Sequence, residues 1–168
     1  MSKNVEAEKE LYPPMCVWLK EYLEDRYPDY EVDAYDTHEI KLDDALQRNG
    51  YPLPPDSKIV GIPIEIDVLG VIQSRTDPCD IRLVFIEAKK TNLSIHALGQ
   101  LLVYCRIADP IEAFLLSSKG MGGLNNIIVN KERTDILTYG SYNEKTIHAA
   151  AWDVQGKHPI METMTPGI

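Results

Sequence analysis

Two carboxylates and a lysine stand out in this sequence. Asp67 lies inside the apolar run Ile62-Pro63-Ile64-Glu65-Ile66-Asp67-Val68-Leu69-Gly70-Val71-Ile72, and Glu87-Ala88-Lys89 closes the run that starts at Ile81. The polar segment from Ser74 to Asp80 between the runs predicts an antiparallel hairpin. A hairpin symmetric about Asp77 sets Asp67 opposite Glu87 and Glu65 opposite Lys89. Directly opposed carboxylates are destabilising by roughly 0.2–1 kcal/mol even before desolvation is counted. A divalent cation removes that cost, because Mg²⁺ takes oxygen ligands and keeps several waters and phosphate oxygens in its shell. The pair therefore reads as half of a metal site. Lys89, two residues after Glu87, projects from the same face. Metal and lysine together supply what phosphodiester hydrolysis requires: a more acidic nucleophile, a polarised phosphoryl oxygen and compensation for developing negative charge. The plain structural alternative is a Glu65–Lys89 ion pair beside two solvated strand-end carboxylates.

The elements that must hold these residues follow from periodicity. Pro13 and Pro14 suit a first helical turn, and Met15, Trp18, Leu19, Tyr22 and Leu23 recur at helical spacing, which predicts a helix over 13–26. Tyr30 to Tyr35 predicts a short strand near a sheet edge, and Leu42 to Arg48 a short helix before the loop holding Pro52, Pro54 and Pro55. Along the hairpin one face carries Glu65, Asp67, Leu69, Val71, Leu83, Phe85, Glu87 and Lys89, and the other Ile64, Ile66, Val68, Val84, Ile86 and Ala88. Both faces are largely apolar, so these strands are expected at the centre of a sheet covered on each side. Thr91 or Asn92 is expected to cap a helix running to about 107, and Ile111 to Ser117 to form a parallel strand reached by a crossover. Beyond it, Gly120 to Gly123 reads as a flexible loop, Leu124 to Asn130 as a helix, and Ile136 to Tyr139 and Thr146 to Trp152 as strands.

The 168 residues, 44% hydrophobic and 26% charged, suit one globular α/β domain. No apolar run is long enough to span a membrane, and the start of the chain does not read as a secretion signal. Cys16, Cys79 and Cys105 have no paired spacing, so an intracellular, cytoplasmic protein with reduced thiols is expected. The net charge of -9 argues against a nucleic-acid partner, though less strongly once its distribution along the chain is counted. Residues 1–60 hold 7 basic and 14 acidic side chains, and the remainder 10 and 12.

Asp67, then Glu87-Ala88-Lys89 closing a hydrophobic strand, then a helix bearing Gln100, resembles the PD-(D/E)XK, or restriction-endonuclease-like, nucleases. The element order αβββαβ from Pro13 to Ser117 is similar as well. The resemblance implies a core over about 10–118 with a central mixed sheet flanked by helices, and a C-terminal extension over 119–168. It further implies that Asp67 and Glu87 bind Mg²⁺, with Mn²⁺ as a substitute, that the Ala88 carbonyl is a further ligand, and that Lys89 is catalytic. Glu10 matches the acidic residue of the family's first helix and is expected to complete the metal shell, and Gln100 and Tyr104 match polar positions of the later helix, where Gln100 is expected to act in catalysis by orienting Lys89 or substrate. Ile66 replaces the proline of the name motif. The implied activity is attack of a metal-activated water on a phosphodiester, most simply in DNA, with RNA as a second substrate class. A homodimer fits only if both strands of a duplex are cut. The alternatives are an inactive nuclease-like fold that binds nucleic acid or protein, and a catalytic subunit whose partner supplies DNA affinity.

Plainer readings attach to other residues. Glu10 suits any helix start, and His96 and Tyr104 share a helix stripe with Gln100 but read as structural or surface groups. Lys90 reads as a solvated lysine. Gly120-Met121-Gly122-Gly123 lacks the Lys-Ser/Thr of a phosphate loop.

Overall fold

The computed structural model describes residues 5–168. Pro13 and Pro14 open α1 (Tyr12–Arg26), which follows a 3₁₀ turn at Glu8–Leu11. Tyr12, Met15, Leu19 and Leu23, spaced three or four apart, form its buried stripe. Then come β1 (Tyr30–Asp36), α2 (Leu42–Arg48), β2 (Val68–Ser74), β3 (Ile81–Lys89), α3 (Ile95–Ala108) and β4 (Glu112–Ser117). The chain ends with a short α4 (Gly122–Asn125), β5 (Thr138–Tyr139), β6 (Lys145–Asp153) and β7 (His158–Pro159). One mixed sheet collects the strands in the order β1-β2-β3-β4-β6-β5, with β7 also on β6. The β1, β2 and β3 ladders are antiparallel, and β3, β4 and β6 run parallel. Among the described residues no helix is long and apolar enough to cross a membrane.

The sheet separates two apolar layers. α1 covers Val68, Ile72, Val84, Ile86 and Ala88, and α3 lies over the layer that contains Leu69, Val71 and Phe85. A buried carboxylate ties down the far end of α1. Glu112, at the start of β4, accepts hydrogen bonds from the Tyr22 and Tyr27 hydroxyls (2.6 and 2.8 Å) and pairs with Arg26 (3.2 Å). That anchorage fixes the C-terminal end of α1 and so the line along which its N-terminal end reaches the opposite end of the sheet.

The hairpin register is the symmetric one, from Val68↔Ile86 to Gln73↔Ile81. The strand before it is shorter than expected. Before Val68 the chain parts from β3: Ile64 C=O accepts from Leu42 N–H (2.8 Å), Ile66 C=O accepts from the Thr37 hydroxyl, and Asp67 C=O still accepts from Thr37 N–H (3.0 Å) on the β1 side. Glu65 consequently bridges Lys41, so the expected Glu65–Lys89 pairing does not form, and Ile64 and Ile66 join the α3-side layer. The cap of α3 is Ser94, which accepts the Ala97 N–H (3.2 Å), rather than Thr91 or Asn92. Leu93 is buried, and its N–H is taken by Gly120 C=O (3.0 Å), which keeps 91–93 out of the helix.

The segment after Lys119 is no appendage to the sheet. β6 lies beside β4 and buries Ile147, Ala149, Ala150 and Trp152. Within 120–123, Gly122 already opens α4, and the strand expected over 136–139 is a 3₁₀ turn (Thr134–Leu137) followed by the two-residue β5.

Gly70 shows how closely α1 sits on β2. A Cβ there would lie 2.9 Å from Leu23 Cδ1, 3.0 Å from Leu19 Cδ2 and 3.1 Å from Val84 Cβ. Gly70→Ala is expected to destabilise the protein by about 1–3 kcal/mol through overpacking. Urea denaturation reads this as a lower midpoint at unchanged slope; an unmoved midpoint would show that α1 shifts freely.

Candidate active site

Asp67 and Glu87 come together where β2 has ended and β3 continues. Because the chain before Val68 parts from β3, no strand partner takes the Ala88 N–H, and Asp67 Oδ2 accepts it instead (2.9 Å). N–H and C=O of one strand residue point to the same side. The Ala88 carbonyl is therefore turned toward Asp67, while Lys89 C=O, one residue on, accepts from Ser118 N–H on the β4 side (3.0 Å).

Glu87 is only 4% exposed. Its Oε1 accepts from Lys89 Nζ (3.1 Å), and its Oε2 is buried with no partner among the described residues. Burial, reinforced by the charge of Asp67, pushes the Glu87 carboxyl up to about 7, and Lys89 offsets only part of that. Burial also raises Asp67, against the opposing pull of the Ala88 N–H and Lys89. Burial alone would lower the Lys89 ammonium, but the charge of Glu87 and its hydrogen bond more than reverse this, and its affinity for the proton is raised. Lys89 is thus a firmly protonated, half-buried cation. Tyr12, at the start of α1, is pushed up by burial and then by the charge of Asp67.

The acidic residue that the first helix brings here is Glu8, not Glu10. Glu8 Oε2 accepts the Lys90 N–H (3.1 Å), and its charge acts on Asp67, Glu87 and Lys89. Residues in a 3₁₀ turn step by about 120°, so two positions on, Glu10 faces away and is exposed beside Val17, Trp18 and Trp152. Gln100 is exposed on α3, where its amide donates to the Tyr104 hydroxyl (3.5 Å); it makes no hydrogen bond to Lys89 or to either carboxylate. Lys90 is not simply solvated, for its ammonium donates to the Glu6 carbonyl (3.1 Å).

Compared with family models, with curated proteins and with solved structures, the chain finds no match.

The donor set suits a hard divalent cation. The Asp67 charge acts on Glu87, Asp67 is hydrogen-bonded to the Ala88 N–H beside it, and one buried oxygen of Glu87 has no partner among the described residues. Among the described residues no three His, Cys, Asp or Glu side chains gather closely enough to hold a metal. Asp67 and Glu87 are the carboxylates that could hold a cation here. Sequence reasoning missed Tyr12 and Glu8. Glu8 carried a signal, as an acidic residue one turn before the paired prolines; Tyr12 carried none apart from its place in the buried stripe.

Proposed function

We propose that the protein is a metal-dependent nuclease that hydrolyses phosphodiester bonds in DNA, with a restriction-endonuclease-like core. The observation that carries this reading is the buried, partnerless Glu87 Oε2 beside Asp67, with Lys89 on the same strand face. A purely structural Glu87–Lys89 pair leaves that oxygen and the clustered negative charge unexplained. The likeness of Asp67 and Glu87-Ala88-Lys89 to the PD-(D/E)XK motif supports the same chemistry.

In this reading Asp67, Glu87 and the Ala88 carbonyl hold Mg²⁺ or Mn²⁺. The cation, when bound, supplies a polarised phosphoryl oxygen and a more acidic water. Lys89 keeps its proton and donates hydrogen bonds to the attacking water and to a phosphoryl oxygen, so positive charge faces the charge that develops as one P–O bond forms and the opposite one breaks. Glu8 acts through Lys90: by holding its N–H, it keeps the end of β3 in place. The Ala88 N–H fixes the rotamer of Asp67.

The test is cleavage of linear and supercoiled duplex, single-stranded and branched DNA and of RNA, in Mg²⁺, in Mn²⁺ and in chelator. Metal-dependent cutting of DNA is expected. Cutting of RNA alone would redirect the substrate assignment. Binding without cutting on every substrate would replace the reading by a nuclease-like binding module, or by a subunit that awaits its partner.

A further inference from the structure

The turn after β1 holds a histidine against this site. Thr37 N–H donates to the Asp67 carbonyl (3.0 Å), and the Thr37 hydroxyl donates to the Ile66 carbonyl. Ile40 N–H closes the turn on Thr37 C=O (3.1 Å), with Glu39 left-handed at φ 62°. His38 therefore rides on the segment whose backbone positions Asp67. Its side chain is fixed on two further sides: Nδ1 bonds the Asp36 carboxylate, and the ring lies 4.8 Å from the Tyr12 ring, between centroids. Nε2 has no partner among the described residues, and the side chain is 35% exposed. Its bond to Asp36 holds the imidazole above the ordinary histidine range.

A polyanion needs donors beyond the one at the scissile group, and this end of the sheet is acidic. The two lysines that close β3 are engaged, Lys89 with Glu87 and Lys90 with the Glu6 carbonyl. Asp36 takes the Nδ1 proton, so the other ring nitrogen carries a hydrogen only in the imidazolium. We infer that His38, as the imidazolium, is a substrate-contacting residue, whose Nε2–H binds a phosphate next to the scissile one while Asp36 and Tyr12 hold the ring. The inference rests on the nuclease reading and extends it to a residue outside its motif.

The experiment compares wild type with His38→Gln, His38→Lys and the double variant Asp36→Asn/His38→Gln. It reads equilibrium binding of a labelled DNA duplex in Ca²⁺ over a salt series, steady-state cleavage in Mg²⁺, and the rise in Tm on adding Mn²⁺. Loss of one charge-assisted contact is expected to weaken binding and raise KM roughly tenfold, to lower the log–log salt slope by about one, and to change kcat little. His38→Lys restores most of the affinity. The double variant keeps the net charge of the turn, so it stays weak if the contact is lost, whereas recovery to wild-type binding would assign the effect to an uncompensated Asp36 and overturn the proposal. Unchanged binding and KM in His38→Gln would overturn it too, as would loss of the Mn²⁺-induced rise in Tm, which would place His38 in support of Asp67. Wild-type binding without cleavage would remove the nuclease reading alone, with the salt series still deciding the contact. Neither binding nor cleavage by wild type would remove both.

Discussion

Lys89→Ala loses at least about a hundredfold in kcat, the scale set by removing one preorganised donor from a developing oxyanion, while the protein still folds and still binds Mn²⁺. The residue is half-buried at the end of β3, and the chain there is held by Glu8 and Ser118 through the neighbouring backbone groups rather than through the ammonium. Its removal has a second consequence. The charge of Lys89 and its hydrogen bond are what pull Glu87 toward ionisation against burial and against Asp67. Without them Glu87 holds its proton to higher pH, and metal binding, which must release that proton, moves with it. Isothermal titration is therefore expected to show weaker Mn²⁺ binding than wild type at neutral pH and near-wild-type binding at about pH 9. Undiminished cleavage by the variant would remove Lys89 from the mechanism. Weak binding that no rise in pH repairs would show that the lysine is part of the architecture of the metal site.

The second large effect is on stability. Glu87 titrates near 7 in the folded protein and near 4.5 when unfolded. Between these values the folded state binds more protons than the unfolded one, so stability falls as pH rises from about 4.5 through about 7 and levels off above. The decline from this group is on the order of 3 kcal/mol. Glu87→Gln keeps the shape and removes the titration, so the difference between wild type and variant isolates it from other groups that titrate in the same range. Denaturation curves at stepped pH are expected to show the wild type losing stability across the window more steeply than the variant. Mn²⁺ should restore the wild type above pH 7, where the carboxylate is ionised, and leave the variant unmoved. Parallel pH profiles for the two proteins would mean that Glu87 is ionised throughout and fully compensated, and the case for a cation between it and Asp67 would lose its main support.

Much of this site was legible in the sequence, for a local reason. Two apolar runs joined by a short polar segment have few ways to pair, and the symmetric register places Val68 against Ile86 as found. The same constraint puts Asp67 level with Glu87 and sends Lys89 to the face of Glu87. The helix after Pro13 and the parallel strand closing at Ser117 likewise follow from spacing and from a crossover too long for a hairpin. The resemblance carried by the motif supplied roles for these residues, and for Glu10 and Gln100, which lie away from the carboxylates.

What the sequence left open were the places where a backbone group chooses between distant partners. Strand-like sequence continues from Ile62 to Ile72, yet the strand begins at Val68, with the Ile66 and Ile64 carbonyls taken by the Thr37 hydroxyl and the Leu42 N–H. That departure leaves the Ala88 N–H for the Asp67 side chain, and it brings His38 to the site on a turn nearly thirty residues upstream. Likewise β6 carries an apolar pattern that announces a strand, but only the open edge of β4 decides where it docks. Hydrophobic period is set by neighbours in the chain and can be read from them. Strand ends, the choice between Glu8 and Glu10, and the surroundings of Glu87 depend on hydrogen-bond and packing partners contributed from far along the chain, and these exist only once the sheet has closed.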